Sequence, residues 1–184
     1  MAGALPLVSA KAPGAASGPA GPALLTITGA IGRPNRGALD PALDQMMQKQ
    51  KISFDKACAL DFAALSRLPV VHIKPTLEYD GKPHALHGPL LLDVLALAGA
   101  RPAAQSKLVL RAVDGYAVTL SAAQARAQRY MVATHLDGAA MPLGGLGPLW
   151  AVVDADRIAE LAARPLTGRF GNCPWALYHI EVQA

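Results

Sequence analysis

A chain of 184 residues, 52% hydrophobic and only 16% charged, suits one folded, soluble domain with a sizeable core and excludes a disordered chain. The formal charge of +4 comes from scattered Lys and Arg, and aromatics are 5%, so the clustered basic face with stacking rings of a nucleic-acid binder is missing. No apolar run approaches the roughly 20 residues that cross a bilayer; the richest, Pro89 to Ala100, contains Asp93.

Residues 1–22, "MAGALPLVSAKAPGAASGPAGP", are dominated by Ala, Gly, Pro and Ser and read as a flexible leader. Ala10-Lys11-Ala12 has the small-x-small form of an export-signal end, with Leu5 to Val8 as the tail of its apolar core. No cationic start precedes it, so the segment is either a signal remnant or a linker; a periplasmic or exported location is the expectation. Residues 23–184 are expected to form a single domain.

"ALLTITGAI" alternates Leu25, Ile27, Gly29 and Ile31 against Leu24, Thr26 and Thr28, a period-two strand pattern. Asp40-Pro41 predicts a short helix over Pro41 to Gln48. Asp61 caps a second helix that buries Phe62, Leu65 and Leu68 and stops at Pro69. "PVVHIKPTLEY" predicts a strand interrupted by Pro75. "GPLLLDVLALAGA" predicts a helix from Pro89, with Leu91, Val94, Leu95 and Ala98 on one face and Gly99 closing it. "KLVLRAV" and "YAVTL" flank Asp114-Gly115, a strong hairpin signal because both turn residues tolerate positive φ. A polar helix from Ser121 through Gln128, strands "YMVATHL" and "LWAVVD", a helix from Asp154 or Asp156 to Arg164, and the strand "WALYHIEV" complete the order. The class is α+β, with mixed, mostly antiparallel β layers and short helices.

Three of the five histidines, His72, His84 and His87, fall in one stretch and are candidate Cu or Zn ligands if the strands pair; the alternative is solvated histidines at strand ends. Met131 and His135 share a face if "YMVATHL" is one strand, and such a pair can hold copper or haem; Met131 in the core and His135 near a turn is the plainer reading. Cys58 and Cys173 form no CxxC pair. Cys173 is near Arg169 and His179 in sequence, yet side chains six apart on a strand stand about 20 Å apart, so a packed or disulfide-bonded thiol is expected rather than a nucleophile. Gly144-Gly145-Leu146-Gly147 precedes a strand and lacks the geometry of a phosphate loop.

The helix "GPLLLDVLALAGA", the hairpin "LRAVDGYAVTL", then "YMVATHLDGAAMP", "GPLWAVV" and a final W-x-x-x-x-I-E-V resemble, in content and order, the oxidoreductase molybdopterin-binding domain family, the fold of sulfite oxidase and of the methionine sulfoxide reductase catalytic subunit. The likeness covers most of Leu24 to Val182. It implies a sulfite-oxidase-like fold with β layers around a cofactor cleft, in enzymes that move oxygen atoms with a pterin-bound molybdenum held also by a cysteine thiolate. In this chain the matching region, Val70 to Tyr79, has no cysteine; Thr76 lies near the expected place. The family's lysine-rich G-x-K-S-x-K-W approach, which helps hold the pterin phosphate, reads "GRFGNCPW" here, with Gly171 and Pro174 for the lysines and Arg169 as the remaining cation. The resemblance places Arg111, Tyr116, Arg169 and Asn172 around what remains of the cleft. The expectation is therefore a non-catalytic, exported binding module that carries no cofactor and takes a small-molecule ligand or protein partner in the periplasm, with no nucleic acid and no membrane span. The alternatives are an active molybdopterin enzyme without a cysteine ligand, and a copper or haem protein.

Overall fold

The structure, a computed structural model, describes residues 18–184; Ala10-Lys11-Ala12 and the leader up to residue 17 lie outside the described residues. The period-two segment near the start forms β1 (Leu25–Gly29), in which Leu25, Thr26, Ile27 and Thr28 are all buried. It lies inside a five-stranded sheet with β2 (Cys58–Leu60), β5 (Lys107–Ala112), β6 (Ala117–Ser121) and β11 (Leu177–Gln183), in the order β2-β1-β11-β5-β6. Only β1 and β11 run parallel; the other pairs are antiparallel. Leu108, Leu110, Leu120, Ile180 and Val182 project from it into the main core.

A second, fully antiparallel sheet joins β3 (Val70–Ile73), β4 (Leu86–Pro89), β8 (His135–Leu136) and β9 (Ala139–Ala140). A third pairs β7 (Met131–Ala133) with β10 (Trp150–Val152). The last two sheets meet where β4 passes β7. A Cβ on Gly88 would stand 2.1 Å from the Val132 carbonyl oxygen, so the contact requires glycine. Backbone bonds lock the crossing, from Thr134 N–H to His87 O at 3.0 Å and from Leu91 N–H to Tyr130 O at 2.8 Å.

The helices are short: α1 (Gln45–Lys49), α2 (Phe62–Ser66), α3 (Leu91–Leu97), α4 (Ala122–Ala127) and α5 (Ala159–Ala162). The fold is thus α+β, mostly antiparallel. Both expected caps operate: Asp61 accepts from Ala64 N–H at 2.8 Å, and Ser121 accepts from Gln124 N–H at 3.0 Å. Other boundaries shift. Asp40 accepts from the amides of Ala42 and Leu43, which holds a turn and delays the helix predicted from Pro41 until Gln45. The strand expected to Tyr79 stops at Ile73, leaving only an isolated bridge between Thr76 and Pro83. Gly88 and Pro89 end β4 instead of opening the helix, which starts at Leu91.

Candidate functional site

Three segments remote in sequence close around one cavity of about 270 Å³. The loop after β3 contributes Glu78 and Tyr79, the β5–β6 turn contributes Asp114 and Tyr116, and the approach to β11 contributes Phe170 and Trp175. At the turn Gly115 has φ +94°, and Asp114 Oδ1 accepts from Tyr116 N–H at 2.9 Å. That geometry projects the Tyr116 ring outward, where its hydroxyl donates to Gly171 O. Two more aromatic donors hold the same segment: Tyr130 hydroxyl bonds Asn172 O at 3.2 Å, and buried Trp150 Nε1–H bonds Cys173 O at 2.8 Å. Beneath the cavity the Tyr79 and Trp150 rings are 6.5 Å apart, and those of Trp150 and Phe170 are 5.8 Å apart.

Among the described residues, no Lys, Arg or His lines this cavity. Glu78 and Asp114 supply negative charge. Burial pushes the Cys173 thiol up to about 12, and burial followed by the neighbouring Glu78 pushes Tyr79 to about 12, so both stay protonated at neutral pH. Cys173 is consequently no nucleophile. It is also unbonded: Cys58 and Cys173 are separate buried thiols, and no disulfide joins them.

Of the four residues expected around the cleft, only Tyr116 lines it. Arg111 points elsewhere because strand alternation gives the cavity Ala112. Its guanidinium donates to His179 Nδ1 at 3.2 Å and to Glu181 at 3.1 Å. His179 Nδ1 must then accept, which leaves Nε2–H to donate to Thr28 Oγ1 at 3.0 Å. In that tautomer His179 cannot take a proton from Thr28, so the pair is structural and not a nucleophile with its base. Arg169 and Asn172 line a separate hollow of about 130 Å³. Arg169 is already occupied by Asp156 at 2.8 Å, Arg164 O at 3.1 Å and Ala162 O at 2.9 Å. Thr76 does not line the cavity either; its amide donates to Asp156 at 2.7 Å.

The histidine cluster is rearranged. His72 faces His87, and His87 faces His135, across adjacent strands. Their rings lie in a row, with centroids 5.2 Å apart for the first pair and 4.2 Å for the stacked second pair. Burial first, then His135 and His72, hold His87 below the ordinary histidine value. His84 is excluded from the row. It lies an odd number of residues before His87, and Asp137 at 2.6 Å and Asp80 at 3.0 Å take its two nitrogens. Both partners only accept, so His84 is protonated, and Asp137 followed by Asp80 raises its pKa. Met131 is fully buried in β7, whereas His135 belongs to β8 in another sheet; the single strand on which that metal-binding pair depended does not exist. Among the described residues no group of three or more His, Cys, Asp or Glu is arranged to hold a metal ion.

Sequence reasoning missed Glu78, Phe170 and Trp175 as cavity residues and His135 as the third member of the row. Hydrophobicity does not distinguish an exposed Trp175 from a core tryptophan, and the cross-strand register carries the histidine row. Compared with known proteins, the chain matches no family model and no curated protein. Among the described residues no helix is long and apolar enough to cross a membrane.

Proposed function

We propose that the chain is an exported, non-catalytic binding module, built on the molybdopterin oxidoreductase scaffold, that takes a small ligand in the cavity between Glu78, Tyr116 and Trp175. One observation carries this reading. The three segments that the family likeness marks as cofactor-holding meet at one cavity, and among the described residues no basic one lines it. Gly171 and Pro174, which stand where the family has lysines, both line it. A pterin phosphate would face Glu78 and Asp114 with no cation to balance it. The lone soft donor, Cys173, is buried and protonated, and Arg169 is held away by Asp156. The donor set does not fit an anionic pterin–metal group, and no oxygen-transfer step is assigned to these residues.

At about 270 Å³ the cavity lies just below the roughly 300–1,000 Å³ of ordinary ligand pockets, which suits a small molecule or the head of a larger one. The test is elemental analysis and pterin extraction on protein exported into the periplasm of a host that makes molybdopterin. Metal-free, pterin-free, folded protein is the expected result. Stoichiometric molybdenum with extractable pterin overturns the proposal in favour of an active oxidoreductase.

A further inference from the structure

We infer that the cavity selects organic cations, and specifically a methylated ammonium headgroup held by Tyr116 and Trp175 with Glu78 and Asp114 as counter-charges. The inference rests on the cavity being the ligand site and adds the chemistry of what it takes. Three features support it independently of the family likeness.

The first is charge. The protein as a whole carries +4, yet among the described residues this cavity is lined by two carboxylates and no basic side chain. Neither Glu78 nor Asp114 has an ion-pair partner among the described residues, so no basic side chain among them neutralises either charge. The local field therefore favours a cation over an anion, in a molecule whose overall charge favours the reverse.

The second is the wall. The chain is only 5% aromatic, but four aromatic residues, Tyr79, Tyr116, Phe170 and Trp175, line this one cavity. Tyr79, Tyr116 and Trp175 are among the few large hydrophobic residues left exposed, at 53%, 49% and 38%. Exposed rings around a concave surface present π faces that attract cations, most strongly weakly hydrated ones such as quaternary ammonium. An inorganic cation would need several oxygen ligands converging on it, and among the described residues no group of three or more His, Cys, Asp or Glu is arranged to hold one.

The third is preorganisation. Tyr116 is tied through its hydroxyl to Gly171 O, so its ring is fixed relative to the segment that carries Trp175. A ligand entering the cavity has little to order.

The probe is choline, compared with 3,3-dimethylbutan-1-ol, its uncharged carbon isostere, and with inorganic phosphate. Calorimetry and tryptophan fluorescence provide two readouts; Trp150 is fully buried and Trp175 lies at the cavity. The expected result is saturable choline binding, at least about tenfold tighter than the neutral isostere, and none of phosphate. Glu78→Gln should weaken choline by about tenfold, and Trp175→Ala should abolish measurable binding. Both side chains lie at the cavity surface, and unchanged urea midpoints would show that the variants fold. Equal binding of the isostere, binding of phosphate, or no binding of choline by the folded protein each overturns the cation assignment. None of these outcomes touches the metal-free binding-module reading, which fails only if molybdenum and pterin copurify.

Discussion

Acidification should remove a definable part of the folding stability through His179. The residue is fully buried between Thr28 and Arg111. Burial first, and the Arg111 guanidinium second, lower its pKa from 6.5 to about 4, with Glu181 opposing. A depressed folded-state pKa means that the unfolded chain binds the proton more readily. The stabilisation is therefore present above about pH 6.5 and is lost progressively as pH falls towards 4. A fall from 6.5 to about 4 corresponds to about 3 kcal/mol in full, and to about 2 kcal/mol between pH 7 and pH 5. His84 works in the opposite direction, since its raised pKa favours the fold at low pH, so the comparison must isolate His179. Urea unfolding at pH 7, 6 and 5, followed through the buried Trp150, should be measured for the native chain and for His179→Asn. Asn can still accept from Arg111 but does not titrate. The native chain should lose about 2 kcal/mol more than the variant across that range. Parallel pH profiles would refute the assignment of a neutral, Arg111-bonded imidazole.

Other consequences are open to direct measurement. Gly88→Ala should destabilise by about 3 kcal/mol or more in chemical unfolding, because its new Cβ meets Val132 O and Ala133 backbone; a smaller loss would mean that β4 and β7 can separate easily. Both thiols should resist a disulfide reagent at pH 8 until denaturant is added, since Cys58 and Cys173 are buried with raised pKa values; rapid reaction of the native protein would contradict this. A histidine NMR titration should place His87 below and His84 above the ordinary value, and the reverse order would overturn the row and the double carboxylate clamp. Arg169→Met should cost about 1–2 kcal/mol through the lost Asp156 and carbonyl bonds without changing choline affinity, because Arg169 lines a different hollow; a loss of affinity would place it at the ligand.

The parts legible in the sequence were those encoded locally. Asp61, Ser121 and Asp114-Gly115 act through backbone groups two or three residues away, so their spacing alone announced two caps and a hairpin. Gly88-Pro89 misled for the opposite reason. Read locally, Pro89 opens a helix; in the fold Gly88 is needed where β4 meets β7, a contact across 44 positions of sequence. The histidines show the same division. Residue spacing grouped His84 with His87, whereas strand register pairs His87 with His72 and His135. The cavity was legible only in part: Tyr116 came from the hairpin motif, but Arg111 beside it was assigned to the wrong face of β5, and Trp175 gave no sign that it remains exposed.

The segment leading into β11 explains why a cavity with so little regular structure in its wall can still be specific. Its consecutive carbonyls at Gly171, Asn172 and Cys173 each accept from an aromatic donor in a different part of the fold: Tyr116 after the β5–β6 turn, Tyr130 just before β7 and Trp150 in β10. A loop held by backbone bonds to a single neighbour can move with that neighbour. This one is fixed against three, so it can shift only if the three elements shift together. Two of the donors, Tyr130 and Trp150, are themselves in the core, where an unmade hydrogen bond would cost about 1–3 kcal/mol. The wall's position is thus set by core packing and hydrogen bonding, while its charge is set by Glu78 and Asp114, loop residues whose own side chains are outside the core. A substitution at Glu78 can therefore change what the cavity recognises without disturbing those three bonds, whereas one at Asp114 also removes the acceptor of Tyr116 N–H.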